Sequence, residues 1–408
     1  MSDSLKRGFS SLASESKLYP QESPLKIKTN AHELFIGIPK ENSEHEHRIA
    51  LTPKVVGVLT ANGHRVVVQE GAGVGANYSD NEYSEAGAKI TPDSDEVFAT
   101  DIVLKVEFPS IEELEKVKPG KTIISTIHAG NVVKENLEIM TRRKITAIGY
   151  EYIEDKVGGL PIVRAMSEIS GTAIISIAAE YLSFDNQGLG VILGGITGVP
   201  PTEVVILGAG TVAEYSARAA IGLGANVKIF DDHIYKLRRL KHLLANQVYT
   251  STIDHATLEA ALLNADVLIG AVRAEKERNK CLVTEETVSK MKKGSVIVDV
   301  SIDEGGCIET SYPTNLKSPV FSKYGITHYC VPNIASRVPR TASKVLSNIF
   351  YPILLQISDS GGLNDMLFQH KWFMKGVYAY RGSITNYYLS KKFKLGYKDL
   401  SLLMAARF

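Results

Sequence analysis

The sequence predicts an α/β protein, two Rossmann-like domains separated by a cleft and joined by two long helices. Three observations predict this. Apolar strand-like runs alternate with amphipathic helical runs over most of the 408 residues, the pattern of parallel sheets flanked by helices. The alternation breaks near Leu160 and resumes near Glu203, where a glycine fingerprint opens the second series. A long apolar helix is expected on each side of that second series.

The first series begins at Glu33. LFIGIP, RVVVQEG, IVLKVEF, TIISTIH and TAIGYEY read as strands; SIEELEKVK reads as a helix, as does PKVVGVLTANG, which closes on Gly63. An Ala- and Ser-rich helix is expected from Glu168 to Leu182, ending at FDNQG, and a second from Pro339 to Ile357. Between them VVILG, NVKIFDD, VLIGAV, SVIVDVS and THYCVPN read as strands. The expected organisation is an N-terminal extension over 1–34, a discontinuous substrate domain over 35–160 plus 341–408, and a dinucleotide-binding domain over 161–340.

Composition narrows the function classes. Lys plus Arg is 46 and Asp plus Glu is 45, so a charge of +1 gives no reason to expect nucleic acid or an anionic membrane as partner. Cys281, Cys307 and Cys330 lack CxxC spacing, so neither a disulfide framework nor a metal site is expected, and a reducing cytoplasm fits. The most apolar run, Thr341 to Ile357, contains Lys344 and Pro352 and reads as a buried helix rather than a membrane span. The first thirty or so residues are polar, lack the apolar core of a secretory signal and lack an Arg series.

VVILGAGTVA has the order that a dinucleotide site requires: strand, Gly208-x-Gly210-x-x-Ala213, helix. Gly208 permits the tight turn, Gly210 lets backbone approach a pyrophosphate, and Ala213 is small enough for helix–strand packing. Thr211 and Val212 begin the helix, whose free N–H groups and dipole suit phosphates. A second strand, VKIF, ends at Asp231, 21 residues beyond Gly210, where a ribose-binding acid belongs. An acid there favours NAD over NADP by repelling a 2′-phosphate. Either Asp231 or Asp232 could serve; Asp231 stands at the strand end. Val272, closing VLIGAV, is a further candidate cofactor contact. The plainer alternative is an ordinary glycine turn beside an exposed acid. GGITGVPP lacks a GK[ST] ending and carries Pro200-Pro201, so it reads as an interdomain loop.

The substrate must be read from charged residues at strand ends. Arg48 lies in EHRIALTP, Lys105 in the apolar run IVLKVEFP, His128 ends TIISTIH and Asp303 follows SVIVDVS. A charge within an apolar strand is unwelcome unless it faces a cleft or a partner. Each has a structural alternative: a surface ion pair for Arg48, a salt bridge to Glu107 or another acid for Lys105, a satisfied core position for His128, a turn for Asp303. Together they suit one reaction class. Two cations can fix a carboxylate, a histidine can move a proton, and Asp303 can orient water beside a nicotinamide. A small 2-amino or 2-oxo acid fits that set.

From about Phe35 to Tyr397 the chain resembles the alanine dehydrogenase family, through IGIPKE, EHRIALTP, GAGVGANYSDNEYSEAGA, LKVE, AMSEISG, GVILGGITGVPPTEVVILGAGTV, KKGSVIVDVSIDEGGCIETSYPT and HYCVPNIASRVPRTAS. The resemblance implies that Arg48 and Lys105 bind substrate, that His128 and Asp303 are the acid–base pair, and that Ser167, Asp231, Lys236, Asn333 and Ile334 contact the cofactor. It implies reversible conversion of L-alanine, water and NAD to pyruvate, ammonium and NADH, by a homo-oligomer, a hexamer. Four departures mark this chain: HAG after the strand at His128, Tyr312 in place of an Arg, RAEKERNK after VLIGAV, and Ile334 in place of a frequent Met. A transhydrogenase NAD-binding subunit, a saccharopine-type dehydrogenase and a non-catalytic NAD-binding protein are the competing readings. Retention of Lys105, His128 and Asp303 argues against the first and the last.

Overall fold

The computed structural model describes residues 32–127, 132–155, 157–273 and 281–405. The expected extension therefore lies almost wholly outside the described residues, and so does His128.

Six short strands make up the parallel part of the first sheet: β1 (Phe35–Ile38), β2 (Arg65–Gln69), β3 (Lys89–Thr91), β4 (Ile102–Leu104), β5 (Thr122–Ser125) and β6 (Thr146–Gly149). They lie in the order β3-β2-β1-β4-β5-β6. Every residue of β4, β5 and β6 is buried, as expected where helices cover both faces of a sheet and the strands read as continuous apolar runs.

The second sheet is built from β7 (Glu203–Leu207), β8 (Asn226–Phe230), β9 (Tyr249–Ser251), β10 (Val267–Gly270), β11 (Val296–Asp299), β12 (Val320–Lys323) and β13 (Ile326–Tyr329). Its order is β12-β13-β11-β10-β7-β8-β9, with β12 antiparallel to β13. Both sheets thus have the doubly wound order, in which the chain reverses direction beside the first strand. The chain then returns: β14 (Val377–Tyr380) pairs antiparallel with β6, and β15 (Ser383–Ile384) extends that edge.

Four helices position the site. Helix α1 (Pro161–Leu182) begins at Pro161, not at Glu168, because proline at the first helical position gives up no intrahelical hydrogen bond. Helix α2 (Thr211–Gly222) packs tightly on it: a Cβ on Gly171 would meet the Val212 carbonyl at 2.5 Å, and Ser216 Oγ donates to the Gly171 carbonyl at 3.0 Å. Helix α3 (Ile234–Leu243) follows β8, and helix α4 (Pro339–Asp359) runs two residues beyond its expected end. α1 supplies Ile174, Ile175 and Ile177 to the second sheet's core, whereas α4 supplies Leu346, Phe350, Leu354 and Ile357 to the first. Among described helices α1 is the one long and apolar enough to cross a membrane, rather than the Thr341–Ile357 run singled out from sequence; it packs on the dinucleotide fold through α2.

Three of the strands that sequence reading passed over share one cause. KIT, YTS and VFSK are short edge strands with mixed polar character, so neither alternation nor an apolar run marks them. All three cysteines are free: Cys281 exposed, Cys307 and Cys330 buried.

Candidate active site

Parallel sheets hold ligands where neighbouring strands send their connections to opposite faces, at the carboxyl ends. In the first sheet that place lies between β1 and β4, and Glu41 and Lys105 follow these two strands. In the second it lies between β7 and β10, followed by Gly208 and Val272.

Gly208 has φ +100°, and a Cβ there would stand 2.4 Å from the Ala271 carbonyl beyond β10. Only glycine satisfies both constraints. Gly210 is different: no heavy atom lies within 4 Å of its hypothetical Cβ. The space beside it, at the N-terminus of α2, is open to a pyrophosphate. Ala213 is fully buried in the second core, while Thr211 and Val212 are half-buried on the first turn. The Val272 carbonyl accepts a hydrogen bond from Ser301 Oγ at 2.8 Å, which ties the end of β10 to the turn carrying Asp303.

Asp231 is buried at the end of β8. Its Oδ2 accepts from the Ala209 N–H at 2.8 Å, so the acid braces the glycine turn. Its Oδ1 accepts from the His233 N–H at 2.7 Å and faces His233 Nδ1 at 2.9 Å. Asp232 is exposed. These residues fit a nicotinamide dinucleotide: a tight turn, an open helix N-terminus and an acid one strand over. Lys236, half-buried in the first turn of α3, has its ammonium 6.0 Å from the Tyr235 ring. Ser167 is half-buried on α1.

The Arg48 guanidinium is buried and held by Glu46, Nε to Oε1 at 2.7 Å and Nη2 to Oε2 at 2.5 Å. Burial works against both charges, but their mutual attraction outweighs it. Glu46 stays below the usual carboxylate range, and Arg48 is more firmly protonated than an ordinary arginine. Among the described residues the remaining Nη1 has the Met166 sulfur as its hydrogen-bond partner, at 3.4 Å. A thioether is a weak acceptor, readily exchanged for a carboxylate. The loop carrying Arg48 is stitched to the second half of the chain: the His47 N–H donates to Ser336 Oγ, the Ile49 N–H to Ser343 Oγ and the Thr52 N–H to Ser347 Oγ.

Glu46 also reaches across the cleft, accepting from Asn333 Nδ2 at 2.9 Å. Asn333 adopts the left-handed conformation, φ +55°, and turns its backbone N–H to Asp303 Oδ1 at 3.2 Å. Arg48, Glu46, Asn333 and Asp303 therefore form one chain of contacts linking the two sheets. Asp303 is reached by solvent in the open cleft, yet protein surrounds it closely enough that desolvation raises its carboxyl to about 6. The Asn333 N–H pulls that value down, Glu304 pushes it up and Arg48 pulls it down again. Ile334 follows Asn333, but its side chain belongs to the second core, so only its backbone faces the cleft.

Lys105, expected to bind substrate, is held by two acids of the first sheet's own half of the chain. Its side chain is 2% exposed. Its ammonium lies 2.9 and 3.0 Å from the two Glu113 oxygens and 3.4 Å from Glu41. Burial alone would lower its pKa, and Glu41 and Glu113 reverse the shift. The structural alternative, an ion pair, is thus the observed one, with Glu41 and Glu113 as partners rather than Glu107. Glu41 is itself pushed up to about 7, by burial first, against the pull of Lys105 and of the Val106 N–H.

His128 lies outside the described residues. The strand leading to it, β5, ends at Ser125, and the two residues that follow are held by Glu151 beyond β6, whose Oε1 accepts from the Ile127 N–H at 2.5 Å and from Thr126 Oγ1 at 3.0 Å. Burial raises the Glu151 carboxyl. Sequence reading missed Glu46, Glu41, Glu113 and Glu151. The available signals were an acid two residues before Arg48 in EHEHR and the capping-box spacing Ser110-x-x-Glu113, and spacing alone does not say which acid meets which cation.

Comparison with known proteins agrees with this architecture. The chain matches the family models "Alanine dehydrogenase/PNT, N-terminal domain" over residues 37–170 and "Alanine dehydrogenase/PNT, C-terminal domain" over 173–387. It is 35% identical to an alanine dehydrogenase of Mycolicibacterium smegmatis, over 91% of this chain and 100% of that protein. It is 37% identical to one of Methanococcus maripaludis, over 89% and 98%. A solved L-alanine dehydrogenase superposes with a TM-score of 0.83 at 35% identity, covering 88% of this chain and 99% of the other. A transhydrogenase from Sinorhizobium meliloti shares the fold, with a TM-score of 0.74 at 22% identity over 86% and 99%. With both family models matched in order and relatives aligned over nearly their whole length, the chain belongs to the alanine dehydrogenase/PNT family.

Proposed function

We propose that this protein catalyses the reversible oxidative deamination of L-alanine to pyruvate and ammonium, with NAD as hydride acceptor. The observation that carries this reading is the Arg48–Glu46–Asn333–Asp303 chain of contacts. It sets a cation suited to a carboxylate beside an acid near its working pKa, in the cleft that the glycine turn also faces.

NAD, when bound, supplies the acceptor for the hydride leaving the substrate α-carbon. The rest falls to this chain. Arg48 presents Nη1 and the free edge of Nη2 to the substrate carboxylate, exchanging its contact with the Met166 sulfur. Glu46 holds the guanidinium so that the fork keeps one orientation. Asp303, with a carboxyl pKa of about 6, is mostly ionised at neutral pH and accepts a proton from attacking water. His128 moves the amino-group proton. Lys105, held in place by Glu41 and Glu113, joins Arg48 in binding the substrate in this reading. Gly208, Gly210, Thr211, Val212, Ala213, Asp231, Lys236, Val272, Ser167, Asn333 and the Ile334 backbone bind the dinucleotide in this reading.

We also read residues 35–160 plus 341–408 as the substrate domain and 161–340 as the cofactor domain, which the return of β14 and β15 to the first sheet supports. The working form is a cytoplasmic homo-oligomer, a hexamer. The exposed Ile192, Ile196 and Val199 in the loop before β7 suit burial between subunits. The test is NADH absorbance with purified protein across a panel of amino acids. Turnover is expected with L-alanine and not with L-glutamate. NADH binding with no turnover of any small amino acid would replace this reading with that of a non-catalytic NAD-binding protein.

A further inference from the structure

The Lys105 ammonium has three donors, and its two acids do not share them equally. Two go to Glu113, at 2.9 Å to Oε2 and 3.0 Å to Oε1. Glu113 is saturated by two more donors, the Ser110 N–H on Oε2 at 2.8 Å and Asn42 Nδ2 on Oε1 at 3.0 Å. The third donor has Glu41 Oε2 at 3.4 Å, longer than an ordinary hydrogen bond. Glu41 is fixed independently of that contact. Its Oε1 accepts from the Val106 N–H at 2.6 Å and its Oε2 from the Glu107 N–H at 3.2 Å. It therefore keeps its place when the third donor turns to another acceptor.

Charged groups face Glu41 from each element around it. Lys105 and Glu107 follow β4, Glu113 lies in the helix Ile111–Lys116, and Glu46 and Arg48 lie in the loop that Glu41 itself opens. Tyr150, after β6, is kept neutral by burial. Two cations thus serve four carboxylates. Arg48 is closest to Glu46, at 2.5 Å, and Lys105 to Glu113, so the surplus charge falls on Glu41 and Glu107. Burial raises both carboxyls, Glu41 to about 7, against the pull of Lys105. A 2-oxo acid brings one more negative charge to this place, whereas a zwitterionic amino acid brings none.

We propose that Glu41 is a positioning residue of the substrate site, one that yields the third donor of Lys105 to the substrate, so that pyruvate binds together with one proton taken up by Glu41. The proton comes from solvent and forms an O–H bond on the Glu41 carboxylate. Lys105 keeps its three protons and turns one N–H from Glu41 to a pyruvate oxygen. L-Alanine, with no net charge, binds without that uptake. This rests on the L-alanine and pyruvate reading above and adds a residue to it.

The experiment titrates oxamate, an unreactive analogue of pyruvate, into the NADH complex of the full-length protein by calorimetry. Two buffers of different ionisation enthalpy at about pH 8 give the number of protons taken up. Wild type is expected to take up about one proton per site more than Glu41→Gln. His128 and Glu107 contribute alike to both proteins, so only the difference counts. The KM for pyruvate is expected to rise between about pH 6 and about pH 8 some tenfold more in wild type than in Glu41→Gln. Equal uptake in the two proteins, with oxamate bound by both, overturns the role of Glu41 alone. Should Glu41→Gln not fold, the double variant His128→Ala, Glu107→Gln decides: uptake that persists there supports Glu41, and uptake that is lost overturns it. Oxamate binding by no protein, with NADH still bound, overturns the substrate reading as well.

Discussion

Glu46 holds Arg48 and Asn333 at the same time, its Oε2 lying 2.5 Å from the guanidinium and 2.9 Å from the Asn333 amide. One carboxylate thus fixes the group proposed for the substrate and the residue that contacts Asp303. Asn333→Gly keeps the positive φ without strain and removes only the amide. A hydrogen bond to a charged group contributes about 1.5–3 kcal/mol. The variant is expected to lose thermal stability of that order and to show a lower kcat/KM for L-alanine. Unchanged kinetics would show that the cross-cleft contact does not support turnover.

Lys105 separates two readings cleanly. Removing one member of a buried ion pair strands the other charge, at a cost of about 3–5 kcal/mol. Lys105→Met is therefore expected to lower the melting temperature substantially, by differential scanning fluorimetry, because Glu41 and Glu113 lose their shared cation. A destabilised variant that still saturates with L-alanine as wild type does would remove Lys105 from the substrate site.

The two fingerprint glycines should behave oppositely. Gly208→Ala combines φ +100° with a 2.4 Å approach to the Ala271 carbonyl, so the fold itself is expected to suffer. Gly210→Ala meets no protein atom within 4 Å, so its melting temperature is expected to match wild type while the NADH dissociation constant rises about tenfold or more. Calorimetric titration checks the second expectation, and normal NADH binding by Gly210→Ala would remove the pyrophosphate from this turn.

Asp303 and Glu41 give pH dependences of known sign. Asp303 must be ionised to accept a proton, so kcat/KM is expected to climb through about pH 6 and then level off, and Asp303→Asn to abolish turnover. Glu41, raised to about 7 in the folded state from 4.5, contributes stability that is fully present below pH 4.5 and lost as pH rises through about 7. Glu41→Gln is expected to lose less stability than wild type between pH 5 and about pH 8. An identical pH response of the melting temperature in both proteins would show that Glu41 carries no proton in the native state.

Much of the fold was legible because its signals are local. Five strands of the first sheet and five of the second follow apolar runs, and helix α1 was misplaced only at its start, where Pro161 begins it early. The return of the C-terminal segment as β14 and β15 was not legible. VYAY and SI are too short to show alternation, and β6, the partner of β14, lies more than two hundred residues earlier. Within the site, Arg48, Asp231 and Asp303 could be singled out from position, but the state of each could not.

By itself the sequence determined the alternation of strands and helices, the glycine turn and the acid one strand later. Those depend on period, backbone freedom and spacing along the chain. Only tertiary structure decided that Lys105 answers to Glu41 and Glu113, and that Glu46 meets Asn333 from 287 residues away. The reason is physical: a buried charge accepts any nearby carboxylate, and which one is near depends on how two sheets and two long helices pack.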